Sequence, residues 1–151
     1  VSEAPSIPLP PLDEPEGAPF WEGARQNRLL VPTCAHCGFV KWPPRSFCSQ
    51  CRKAGSEWRE MSGRGRLWSW ALAHNPTLPA FWPFVPFPIV LVELDDAPQV
   101  RMAGNVIAAP GAAINSLKPE HLRIGMPLRV TFEALSGEVS LPRWVPAEGG
   151  S

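Results

Sequence analysis

The chain has no run of eighteen apolar residues, and so no segment able to cross a bilayer as a helix. Its first residues lack a basic stretch followed by an apolar one, so no secretory signal is visible. Net charge is absent, with 14 basic and 14 acidic side chains. No Gly-rich phosphate loop is present; Ser62-Gly63-Arg64-Gly65 is too short a signal alone. No nucleophile–base pair can be assembled either. His74 and His121 have no flanking residues that would make them bases, and adjacent Asp95 and Asp96 project to opposite sides of a turn. Cysteine is scarce, and all four copies fall in metal-ligand spacing. That argues for the reducing cytoplasm over a disulfide framework. The chain opens on Val1 rather than Met, which fits a piece trimmed or excised from something longer. At 151 residues and 44% hydrophobic content, it can bury one modest core or two small ones.

The four cysteines read Cys34-Ala35-His36-Cys37, then ten residues, then Cys48-Ser49-Gln50-Cys51. Two Cys-x-x-Cys pairs a short loop apart are the sequence form of a tetrahedral four-thiolate site. Each pair sits on a turn that aims two sulfurs at one point, and Gly38 suits the left-handed conformation such turns need. The stiff Trp42-Pro43-Pro44 carries the chain from one turn to the next. Three readings compete for these residues. A structural zinc ribbon is favoured because four ligands leave no open position for chemistry. Iron fits the same cage. A redox dithiol is the weakest reading, because it needs only one such pair beside a βαβ pattern. With four thiolates available, His36 is read as solvent-facing.

Charge is spread unevenly. Residues 1–24 carry five acidic groups and no basic one, whereas 25–66 carry nine basic against two acidic. The remainder is slightly acidic. The ribbon is therefore a positive patch able to attract the phosphates of a nucleic acid or a nucleotide-like cofactor.

Residues 1–18 hold five prolines and almost no large apolar side chain, so a flexible lead-in is expected. A short helix is predicted over 19–27, opened by Pro19 and carrying Phe20 and Trp21 on a face that must dock elsewhere. Residues 29–31 read as a strand entering the metal site, with Trp58 on the returning one. From residue 63 the pattern is all β, with strands predicted at 66–75, 89–94, 99–107, 127–135 and 139–144. Trp68, Trp70 and Leu72 are placed on one face of the first. The second is a continuous apolar run, expected to be buried on both sides. Residues 119–122 suit one helical turn. Five strands with an interruption before the fourth fit a small OB-type barrel. The expected fold is thus mainly β: lead-in 1–18, helix and ribbon 19–61, barrel 62–146, tail 147–151.

One loop stands apart. Residues 75–88 interleave five prolines with Phe81, Trp82, Phe84 and Phe87. Some of these aromatics would lid the barrel; the excess points to a hydrophobic contact with a partner or ligand.

The order of motifs resembles a known family. Phe20-Trp21 precedes a short helix. The Cys-x-x-Cys pairs flank an aromatic-Pro-Pro, and Ser62-Gly63-Arg64-Gly65 opens the first barrel strand. Val85-Pro86-Phe87 precedes Val92-Glu93-Leu94, and Gly125-Met126-Pro127 precedes Val130-Thr131-Phe132-Glu133. These features are similar to the zinc-ribbon, OB-fold acyl-CoA-associated proteins, long catalogued as a domain of unknown function. The likeness covers about residues 19–146. It implies a rubredoxin-like zinc ribbon followed by an OB-fold. It also implies a non-catalytic partner, in a hetero-oligomer, of thiolase-like enzymes: thiolases, hydroxymethylglutaryl-CoA synthases, or lipid-transfer-protein-type aldolases of steroid side-chain degradation. Members can be fused to a hot-dog-fold hydratase, here N-terminal to the chain. Trp42, Trp70 and a longer 108–118 loop depart from the usual pattern. On this reading zinc is structural, held by Cys34, Cys37, Cys48 and Cys51. Contacts to partner or acyl-CoA are expected from Phe20, Trp21, Arg64, Arg66, Phe81, Trp82, Phe84 and Phe87. The alternative is a nucleic-acid-binding module. It is disfavoured because single-strand binding needs a basic, aromatic groove on the barrel itself, whereas the positive charge lies on the ribbon.

Overall fold

Pro19 lacks an amide hydrogen, so it sits at the start of a helix at no cost, and α1 (Ala18–Arg25) begins there. The computed structural model describes residues 6–147; the first five residues of the lead-in and most of the tail lie outside this range. Within the lead-in, Ser46 donates to the Glu16 carboxylate, which ties residues just before α1 to the ribbon. α1 buries Phe20, Gly23 and Ala24. It lies so close to the following strand that a Cβ on Gly23 would come within 2.6 Å of the Leu30 side chain.

That strand, β1 (Leu29–Cys34), pairs antiparallel with β2 (Ser56–Met61), in register from Leu29↔Met61 to Cys34↔Ser56. The loop that carries the other three cysteines connects them. The barrel follows: β3 (Arg64–Ala73), β4 (Phe87–Leu94), β5 (Ala97–Asn105), β6 (Pro127–Ala134) and β7 (Ser140–Pro146). Their order in the sheet is β5-β4-β3-β6-β7. β3, β4 and β5 form a meander; β6 and β7 form a hairpin that joins β3 through residues 127–129. The sheet curls until Val106 bridges Trp144 in parallel.

One core serves all parts. Phe20, Leu29 and Val31 cluster with Leu67, Val90, Val92, Met102, Leu128 and Trp144. Each large side chain so buried contributes about 1.5–3 kcal/mol, so helix, ribbon root and barrel hold one another.

Two expectations about faces are corrected. Trp68 does not share a face with Trp70 and Leu72. The register between β3 and β4 shifts at Leu67/Ser69, and this bulge sends Leu67 into the core while Trp68 is left 50% exposed. There the Arg101 guanidinium stacks over its ring at 3.8 Å. Nor is β4 buried on both sides: Val90, Val92 and Leu94 are in the core, while Ile89 and Leu91 are 45% and 37% exposed. A continuous apolar run conceals that alternation, because both faces are written in the same residue types. The interruption before β6 is a looped segment with Ile114 buried, followed by a 3-10 turn at Pro119–His121.

Candidate functional site

The sulfurs of Cys34, Cys37, Cys48 and Cys51 all lie within 4.8 Å of one another. Cys34 and Cys51 sulfurs are 3.5 Å apart, and those of Cys37 and Cys48 3.6 Å apart. Four thiolates at about 2.3 Å from a tetrahedral ion would be separated by roughly 3.8 Å, so the cage fits zinc. The backbone prepares the ligands. His36 and Cys37 amides donate to the Cys34 sulfur, and the Gln50 amide to that of Cys48. The Cys37 and His36 amides draw the Cys34 thiol down to about 6, against the burial that opposes them. Cys48 is likewise lowered, first by the Cys51 amide. Cys37 moves up to about 11: the Phe39 amide pulls it down, but burial and the neighbouring sulfurs outweigh that pull. Once bound, the ion neutralises this crowding and closes the loop as a structural link. His36 is exposed, its Nε2 3.0 Å from the Ala54 carbonyl, and outside the sulfur cage.

Sequence reasoning missed Lys41, which is 1% exposed. Its ammonium donates to the Gly55 carbonyl at 3.1 Å and approaches the Ser46 carbonyl at 3.5 Å. Gly55 in turn accepts from the Ala35 amide. One buried cation thus joins the first cysteine turn, the approach to the second, and the exit from the ribbon. A Lys in a loop carries no local signal of burial, because only the folded loop supplies its carbonyls.

The proline-rich loop is partly a 3-10 helix, Pro79–Phe84. Its aromatics divide. Phe87 is 5% exposed and packs on half-buried Phe81, ring centroids 5.8 Å apart. Phe84 is half-buried. Trp82 is 59% exposed, its indole N–H held by the Pro76 carbonyl at 3.0 Å. Phe87 therefore serves the barrel, and Trp82 is the aromatic presented outward. Phe20 is buried, and half-buried Trp21 meets it edge-on at 5.0 Å. Both line a cleft of about 420 Å³ between α1, the ribbon and the barrel, with Trp42 and Met102 also in its walls. A second cleft of about 650 Å³ lies under the proline-rich loop, walled by Leu78, Phe81, Phe87 and Ile89. The clefts share Ala103, Gly104 and Asn105.

Arg64 and Arg66 are exposed. Arg66 donates to the Gly125 carbonyl. Arg64 stands directly opposite Arg129 across the β3–β6 pair, and neither makes a salt bridge among the described residues. Like charges placed opposite each other on a sheet repel. An anion between them would relieve that repulsion. The other missed feature is Arg143, 6% exposed, whose guanidinium donates to Glu133 at 2.9 Å and to Asn105 at 2.7 Å. A lone Arg within the apolar strand of Leu141, Pro142, Trp144 and Val145 was the available sign of a buried pair.

A closed four-thiolate ribbon rooted in the core of a small five-stranded barrel defines a zinc-ribbon/OB-fold protein. The chain belongs to the ChsH2 family of such proteins, also known as DUF35. Residues 21–57 match its rubredoxin-like zinc ribbon domain, and residues 58–133 its C-terminal OB-fold domain. The 3-oxo-4,17-pregnadiene-20-carboxyl-CoA hydratase alpha subunit of Mycobacterium tuberculosis is 31% identical over 144 residues, 95% of this chain but 42% of that protein. The chain thus spans less than half the length of that relative. A DUF35 domain-containing scaffold protein of Pyrococcus furiosus is 26% identical over 107 residues, 71% of each chain. Among solved structures, a chain of the Ltp2-ChsH2(DUF35) aldolase superposes with a TM-score of 0.75 at 29% identity. The match covers 91% of this chain and 98% of that one.

Proposed function

We propose that this chain is a non-catalytic accessory subunit or domain that docks on a thiolase-like enzyme and helps hold its acyl-CoA. The observation that carries the reading is the near-complete structural likeness to a chain of the Ltp2-ChsH2(DUF35) aldolase. Other features agree with it. The scaffold name of an archaeal relative points to assembly, and the hydratase name of another points to acyl-CoA chemistry close by, in a steroid. Trp82 offers a rigid aromatic anchor on a proline-stiffened loop, which loses little entropy on binding. Arg64 and Arg129 offer a pair of cations for CoA phosphates. Zinc, on this reading, holds the ribbon in shape and takes no part in chemistry. A fused hydratase preceding the chain would fit the lengths compared above.

The chain alone is expected to cleave, condense or hydrate no acyl-CoA thioester. Assays of purified protein against a panel of such thioesters check this. Turnover by the isolated chain would overturn the accessory reading. Addition of a thiolase-like partner is expected to give co-eluting protein on size exclusion, with an acyl-CoA affinity that falls as salt is raised.

A further inference from the structure

The barrel is left open along one seam. β5 pairs with β4 from Ile89↔Asn105 to Glu93↔Arg101. On its other side it meets β7 at Val106↔Trp144, where the Ile107 amide donates to the Trp144 carbonyl at 2.8 Å. A parallel bridge of this pattern turns the backbone of the preceding residue, Asn105, toward β7. Backbone groups face alternate sides along a strand, so Ala103 and Arg101 turn their N–H and C=O groups the same way. Beyond the bridge the strands diverge, and no backbone partner meets these groups among the described residues. The Arg101 side chain is held away from the seam, stacked over Trp68 and paired with Glu93 at 3.2 Å.

We propose that an extended segment of the partner enzyme adds to β5 as a sixth strand, bonding the free N–H and C=O groups of Ala103 and Arg101. The proposal rests on the docking reading above and names the contact. An unpaired strand edge is a template for such addition. Two further features favour a peptide over a ligand chain. The clefts described above lie on either side of this edge, both lined by Ala103, Gly104 and Asn105. Side chains of an added strand point alternately to opposite faces, so successive apolar residues would enter the two clefts in turn. A pantetheine or acyl chain has no such alternating branches and would use one cleft. The rim of the first cleft carries Glu14 and Glu16, while the Arg143 in its wall is already paired with Glu133 and Asn105. The Ser46 hydroxyl holds the Glu16 carboxyl below the usual range, so it is charged at neutral pH. The incoming strand is therefore expected to carry a basic residue there.

Ala103→Pro tests the proposal. It removes the outward N–H alone, which lies outside the β4 ladder, and proline is tolerated on such an edge. The probe is the Ltp2 subunit of the solved aldolase. Wild-type protein is expected to bind it and Ala103→Pro to bind about tenfold or more weakly, with its unfolding midpoint retained. Hydrogen exchange on the wild type gives an answer independent of the variant's folding. The Ala103 and Arg101 amides should exchange fast in the free chain and slowly in the complex, while Met102 and Gly104, bonded to β4, stay slow in both. Equal binding by Ala103→Pro, or an Ala103 amide unprotected in the complex, would overturn edge addition and leave the docking reading standing. No binding by wild type would overturn both.

Discussion

Cys48→Ser is expected to release the metal and unfold the ribbon loop while the barrel stays folded. Cys48 is 2% exposed and lies in the four-sulfur cage. The first half of the loop is held by Trp42 against Phe20, by the Lys41 bonds and by the Ser46–Glu16 contact; around the second cysteine pair little besides the cage holds it. Phe47 is 64% exposed, and the outward side of β2 is largely solvated. A structural zinc of this class supplies about 10 kcal/mol or more of folding free energy, far above what the Lys41 bonds could replace. The boundary of the damage follows from the core. Phe20, Leu29 and Val31 pack with barrel residues, so α1 and the first half of β1 should persist. Exchange protection should vanish between residues 34 and 56 and remain in β3, β4 and β5. Elemental analysis of wild type should give one zinc per chain. Iron, or a variant that keeps its ribbon protection, would contradict this account.

Phe87→Ala and Trp82→Ala should separate stability from docking. Phe87 lies in the barrel against Phe81, and its loss should cost about 3–5 kcal/mol of stability by denaturant unfolding. Trp82 is mostly solvated and gives up one bond to Pro76; its loss should leave stability within about 1 kcal/mol. Its effect belongs to association, where removal of a central aromatic anchor costs about 2 kcal/mol or more. A Phe87→Ala protein as stable as wild type would contradict the packing account. A Trp82→Ala protein with unchanged partner affinity would remove the loop from the interface.

What could be read in the sequence is what is encoded locally. Cys34, Cys37, Cys48 and Cys51 announce a metal cage by spacing alone, because each turn is a few residues long. β6 declares itself through alternation, and α1 through Pro19. Features fixed by tertiary context were not legible. The bulge that turns Trp68 outward depends on the register between β3 and β4. Exposure of Ile89 and Leu91 depends on how little of that face the proline-rich loop covers. Arg143 reaches Asn105, 38 residues away, and Lys41 is buried by carbonyls that only the folded ribbon brings near. The aromatic-rich loop was visible as a cluster, but dividing it into Phe87 for the core and Trp82 for the surface required the fold.

The central claim is that the chain works as a docking subunit of a thiolase-like enzyme. Purification of the tagged chain from its native host, followed by mass spectrometry of the eluate, tests it most directly. A thiolase-like protein in near-stoichiometric amount is the expected result. An eluate holding bulk single-stranded RNA or DNA and no thiolase-like protein would contradict it.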